Sequence, residues 1–173
     1  MNLVYLCLGG NLGDTKNIFC KAINLIENKI GRCVAQSHLY KTEPWGFKTD
    51  KFFLNQVISI ETPFEPLKAL ELCLQIEAEL GRTRSGYGYE PRIIDIDILF
   101  VDNQIINLSD LKVPHPLIQE RNFVLQPMSE IAPDFVHPVL RKTIAQLCAE
   151  CGDTTSVERL ISTNQNHRLN IAL

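Results

Sequence analysis

Asp95 and Asp97, in the run RIIDIDILF from Arg92 to Phe100, are the residues whose types and spacing point most directly to chemistry. Ile94, Ile96 and Ile98 alternate with them, and strict alternation reads as a half-buried strand whose successive side chains face opposite ways. The isoleucines then share one face and the two carboxylates the other, roughly 6.5 to 7 Å apart along the strand. That spacing suits one or two hard cations. A solvated polar face would explain a bare Asp-x-Asp equally well, so the neighbours decide. Arg82, Arg84 and Arg92 lie in one segment leading into the strand. Carboxylates to hold magnesium, beside guanidinium forks that match phosphate oxygens, make a polyphosphate site.

The elements that must position these groups follow from periodicity. Leu3 to Leu8 is an apolar, strand-like run closed by the loop GGNLGD. Ile18, Ala22, Leu25 and Ile26 recur at helical spacing, with Asp14 or Thr15 as N-cap and Gly31 as stop. Cys33–Tyr40 and Phe53–Glu61 read as strands, separated by a loop from Lys41 to Lys51. Pro66 starts a second helix whose buried stripe is Ala69, Cys73, Ile76 and Leu80, with Gly81 closing it. A second long loop, Arg82 to Pro91, precedes the strand Ile93–Val101. Asp102-Asn103 reads as a hairpin turn into a short strand around Ile105. The order β-α-β-β-α-β predicts an α+β, ferredoxin-like antiparallel sheet with two helices on one face and the other face free for ligands or extra elements. The proline-rich remainder from Leu111 wraps the sheet as short helices, one of them near Lys142–Glu150, and the stretch from about Asp153 reads as a loosely held polar tail.

Composition narrows the partners. A chain of 173 residues, 45% hydrophobic and 21% charged, predicts one soluble domain with a full core. A formal charge of −3 argues against nucleic-acid binding. No apolar run is long enough to span a bilayer, and the N-terminus has no basic leader, so a cytoplasmic protein without membrane partners is expected. Six cysteines include a Cys148–Cys151 CxxC, read as incidental because no second ligand pair accompanies it. There is no P-loop, and GGNLGD lacks the second glycine of a dinucleotide fingerprint. Asn55, on a strand, offers a paired donor and acceptor to a heterocycle edge.

Four separated blocks carry a resemblance: LGGNLGD, YKTEPWGF with FLNQV, PRIIDIDIL, and VPHPLIQERNF, with EIAPDF downstream. In this order and spacing, from Leu8 to Phe123, they resemble the hydroxymethyl-dihydropterin pyrophosphokinase family of folate biosynthesis. The resemblance implies transfer of an intact pyrophosphate from ATP to the pterin hydroxymethyl group, releasing AMP. By motif position Asp95 and Asp97 would hold two magnesium ions, and Arg82 and Arg92 would stabilise the transition state. Glu77, Arg84, Ile98, Lys112, His115 and Arg121 fall at nucleotide-side positions. Phe53 and Phe123 would sandwich the pterin, while Asn55, Thr42 and the backbone near Glu43 and Trp45 would read its polar edge. A monomer acting on small molecules is expected. The chain departs from the family pattern at Gly88, Tyr89 and Glu90, where a basic residue, a tryptophan and a small residue are usual. The competing readings are a magnesium-dependent nucleotidyltransferase on the same aspartates and a non-catalytic ferredoxin-like binding module.

Overall fold

The protein is described by a computed structural model, which covers residues 1–44, 51–83 and 91–161. Strand β1 (Asn2–Gly10) is central to the sheet. It pairs antiparallel on one side with β4 (Phe53–Thr62) and on the other with β5 (Asp95–Val101). Beyond β4 lie β2 (Arg32–Gln36) and β3 (Leu39–Thr42), and β3 is flanked by β8 (Val157–Leu160). The path across the sheet is β5-β1-β4-β3-β8, with β2 also on β4, and every pairing is antiparallel.

Alternation along β1 feeds two cores. Val4, Leu6 and Leu8 point to one face, where they meet α1 (Thr15–Lys29) and α2 (Pro66–Glu79). Helix α1 buries Phe19, Ala22, Ile23 and Ile26 at helical spacing, and the Asp14 side chain caps it by accepting from the Asn17 N–H. Helix α2 buries Ala69, Cys73 and Ile76. Gly81, with φ +91°, turns the chain out of α2 in a conformation that a side chain would resist. Tyr5 and Cys7 point to the opposite face and pack with α3 (Asn122–Ile131) and α4 (Ile144–Glu150). The sheet is thus covered on both faces, and the face left for ligands or extra elements carries the two helices α3 and α4.

Several sequence expectations need correction. Cys33–Tyr40 is not one strand: Ser37 interrupts it, with its N–H donating to the Val57 carbonyl and its Oγ accepting from the Val57 N–H. Residues 41 and 42, placed in a loop from sequence, continue β3. The short strand β6 (Ile106–Asn107) pairs with β7 (Lys112–Val113) rather than with the strand before the Asp102 turn. Helix α3 forms despite Pro127 inside it, because Val124, Leu125 and Met128 bury a common stripe. The stretch after Asp153 is not loose throughout, since β8 pairs along the whole of β3. All six cysteines are free thiols, and Cys7 and Cys73 are buried.

The sheet therefore depends on the two-sided packing of β1. Leu6→Ala, at a fully buried position, is expected to lower unfolding free energy by about 2–5 kcal/mol, read as a shift in the urea midpoint with unchanged slope.

Candidate active site

The carboxylates sit where sequence alternation places them. In β5, Ile96 and Ile98 enter the core against α1 and α2, while Asp95 and Asp97 face the other way. Their cross-strand partners on β1 are small: Gly9 opposes Asp95 and Cys7 opposes Asp97. Gly9 also opposes Asn55 of β4 on its other side. A Cβ added at Gly9 would approach Asn55 Oδ1 to 3.3 Å, so glycine leaves room between the amide and the acids. Here Cys7, Gly9, Asp95 and Asp97 floor a cavity of about 200 Å³ whose walls include Thr42, Glu43, Phe53, Asn55, Arg92, His115, Arg121 and Phe123. Asn55 is buried and its Nδ2 donates to Thr42 Oγ1 at 2.8 Å, which fixes the amide.

A wider groove of about 720 Å³ lies beside this cavity, between α2 and the β6–β7 hairpin. It is lined by Leu67, Leu70 and Leu74 of α2, by Ile98, and by Ser109 to Lys112. Asp95, Asp97 and His115 line both spaces. Glu77, assigned to the nucleotide side from sequence, reaches this groove but is almost fully buried. Its Oε1 accepts from the Ile96 N–H at 2.7 Å and pairs with Arg82 Nη1 at 2.7 Å. Arg121, also expected on the nucleotide side, lines the small cavity, with its guanidinium 5.7 Å from the Phe123 ring centre. Arg84 and Trp45, and the Gly88–Tyr89–Glu90 departure, lie outside the described residues, as does most of each long loop.

Charge is shared unequally between the two acids. Asp95 is clasped by Arg82 at Oδ1 and by Arg92 Nη1 at Oδ2, the latter at 2.7 Å. Arg92 is itself anchored by the turn after β1. Its N–H donates to Asn11 Oδ1 at 2.8 Å, and its carbonyl accepts from the Asn11 and Leu12 N–H groups. Asp97 is deeper, and burial, followed by the charge of Asp95, pushes its carboxyl up to about 7. Burial also drives the Cys7 thiol far above its usual range, leaving it an inert floor.

His115 is placed by a β-bulge. Tyr5 pairs with Phe100 and Leu6 with Ile98, so Leu99 is the extra residue, and its carbonyl accepts from the His115 N–H at 3.0 Å. Burial, then the charge of Arg121, lowers the imidazole to about 4, so it is neutral at pH 7. Its Nδ1 accepts from the Leu117 N–H, which leaves Nε2 as the donor.

Sequence reading missed Cys7, Gly9 and the apolar residues of α2. The period of two along β1 holds the signal for the first two: they share the face opposite Leu6 and Leu8, and pairing with β5 sets them beside the aspartates. The donor set fits a hard cation. Two oxygen-only carboxylates stand together, and a divalent ion there would add to the positive charge of Arg121 and Arg92 that already acts on Asp97. Among the described residues no group of three or more His, Cys, Asp or Glu forms a metal cage. Two carboxylates completed by phosphate oxygens and water are a common magnesium arrangement.

A raised carboxyl has a definite effect on stability. The unfolded aspartate ionises near pH 4 (about 3.9), while the folded Asp97 holds its proton to about 7. Between those values only the unfolded chain loses the proton, so this group's contribution falls as pH rises and levels off above about 7. In metal-free buffer, Asp97→Asn is expected to match the parent near pH 4, to exceed it increasingly up to about pH 7, and to keep that margin at pH 8. Parallel urea-midpoint profiles for the two proteins would contradict the burial of this charge.

Residues 5–133 match the family model described as 7,8-dihydro-6-hydroxymethylpterin-pyrophosphokinase. A 2-amino-4-hydroxy-6-hydroxymethyldihydropteridine pyrophosphokinase of Porphyromonas gingivalis is 40% identical over 141 residues, covering 80% of this chain and 95% of the relative. One of the same name from Methylorubrum extorquens is 39% identical over 163 residues, covering 92% and 99%. In fold, the chain is similar to the Plasmodium falciparum HPPK-DHPS crystal structure with pteroate, at TM-score 0.73 and 18% identity. That match covers 86% of this chain and 44% of the other. By both its extent and its identity to these relatives, this chain belongs to the 7,8-dihydro-6-hydroxymethylpterin-pyrophosphokinase family.

Proposed function

We propose that the protein transfers a pyrophosphoryl group from ATP to the hydroxymethyl oxygen of 6-hydroxymethyl-7,8-dihydropterin, with AMP as the second product. Family membership makes it an ATP-dependent diphosphotransferase of folate biosynthesis. The observation that carries the assignment of parts is the junction: Asp95, Asp97 and His115 line both the small aromatic cavity and the long groove. Joining two substrates requires the charge-handling groups at their meeting point. The order β-α-β-β-α-β supports reading the core as ferredoxin-like, with β2 and β3 as two halves of one strand.

The small cavity takes the pterin. Phe53 and Phe123 supply flat apolar surface, and Asn55, held by Thr42, offers its amide to the polar edge of the ring, with the backbone near Glu43 adjacent. The groove takes ATP, with Ile98, Lys112 and the leucines of α2 along it. Asp95 and Asp97 would hold two magnesium ions, whose contribution when bound is to neutralise charge on the phosphate oxygens. Arg82 and Arg92, beside those acids, contact the phosphates and stabilise the charge that develops as the bridge between the α- and β-phosphorus breaks. The pterin oxygen bonds to the β-phosphorus, AMP leaves with the bridging oxygen, and the hydroxyl proton is released. His115, neutral and presenting an N–H, can donate to a phosphate oxygen without titrating near pH 7.

Incubation with ATP, magnesium and the reduced hydroxymethyl pterin is expected to give AMP; release of pyrophosphate instead would indicate nucleotidyl transfer, and no magnesium-dependent ATP binding a non-catalytic module. Asp97→Ala should abolish turnover with the fold intact by circular dichroism, and AMP formation at the parent rate would remove the metal assignment. Phe123→Ala should weaken pterin binding by about 1–3 kcal/mol, by analogy with base–aromatic stacking, and leave ATP affinity nearly unchanged. Equal losses in calorimetric titrations of the two ligands would count against stacking.

A further inference from the structure

The segment Asp153–Leu160 lies past residue 133, where the family match ends, yet it touches two of the elements that wall the small cavity. Helix α3 begins at Asn122, between Arg121 and Phe123, and Arg121 at its N-cap makes no side-chain capping bond. The missing acceptor comes from far along the chain: Asp153 Oδ2 accepts from the Asn122 N–H at 3.0 Å. The other oxygen, Oδ1, accepts from the Thr155 N–H at 2.9 Å and from its hydroxyl, so the carboxylate is held in place. A carboxylate at a helix N-terminus is also favoured by the helix dipole.

Four residues later the same segment enters the sheet. Val157 opposes Thr42, Glu158 opposes Lys41, Arg159 opposes Tyr40 and Leu160 opposes Leu39. Thr42 is the residue that orients the Asn55 amide. Glu130 of α3 ties the outer end together, accepting from the Tyr40 hydroxyl at 2.9 Å and pairing with Arg159 at 3.9 Å. One short stretch therefore fixes the helix start that carries Phe123 and the strand that carries Thr42, on two walls of the cavity.

We infer that Asp153–Leu160 is a positioning strap for the pterin subsite, with Asp153 setting the start of α3 and β8 setting the Thr42–Asn55 pair. This inference rests on the pterin reading of the small cavity. The strap touches none of the groove residues through these bonds, so its effect separates the two substrates. Loss of a helix cap is of the order that changes an equilibrium about three- to tenfold.

The test is pterin affinity, measured by calorimetry on the full chain with a non-hydrolysable ATP analogue, alongside affinity for the analogue alone. Asp153→Ala should raise the pterin Kd about three- to tenfold and leave the analogue Kd within twofold. Asp153→Asn, which retains an acceptor oxygen for the Asn122 N–H, should recover most of the loss, whereas a merely structural role would weaken both ligands together. If Asp153→Ala does not fold, Val157→Gly gives the second reading, since glycine loosens β8 beside Thr42 without removing the cap. Equal losses for both ligands, or no loss for pterin, would overturn the strap. Phe123→Ala separates this from failure of the pterin reading: if it weakens pterin binding and the strap variants do not, only the strap is wrong, and if it does not, the subsite itself is misassigned.

Discussion

The arrangement depends on the register of one central strand. On β1, Gly9 faces Asn55 across one edge and Asp95 across the other, and Cys7 faces Asp97. Strands lie about 4.7–4.9 Å apart, so this pairing alone sets the Asn55 amide two strands from the Asp95 carboxylate. A slip of one residue would turn β1 over, sending Leu6 and Leu8 to the cavity side and Cys7 and Gly9 into the main core. Burial of the leucines therefore locks the register, and the register locks the site.

Around that frame the charges are arranged as a chain of partners. Glu77 holds Arg82, Arg82 and Arg92 hold Asp95, and Asn11 holds the backbone of Arg92. Arg82, Asp95 and Arg92 are thus each oriented by a neighbour in the chain of contacts. Asp97 is the exception, and burial beside Asp95 favours its neutral form. A carboxyl kept in such surroundings lowers stability, a cost commonly met at sites under functional demand.

Much of this was legible from residue order. The Asp-x-Asp alternation gave the correct face for both acids because a period of two is rigid: once Ile94, Ile96 and Ile98 are buried, the acids have no other direction. The helices α1 and α2 were equally plain from their stripes and stops. What escaped were features set by long-range partners. Ser37 breaks a strand through bonds to Val57, twenty residues away. Helix α3 carries a proline that local rules treat as a breaker, and its cap is supplied by Asp153. β8 looks like polar tail because a strand on the outer edge of a sheet shows only a weak alternation, with its middle residues exposed. The roles of Cys7 and Gly9 were hidden for the opposite reason, since small residues in an apolar run carry no chemical signal until the strands beside them are known.

The bulge at Leu99 means that β5 is written in two reading frames. Before it, odd-numbered positions deliver acids to the cavity; after it, Phe100 joins Tyr5 and Phe135 in the second core, at 6.2 and 4.7 Å between ring centres. The extra residue is the punctuation between an acidic half that lines the cavity and a packing half, and the carbonyl it turns outward holds His115. Removing that one residue would straighten β5 into plain alternation, with Asp97 still opposite Cys7 and Phe100 still opposite Tyr5, and the loss would fall on His115, whose backbone would no longer have the Leu99 carbonyl to hold it.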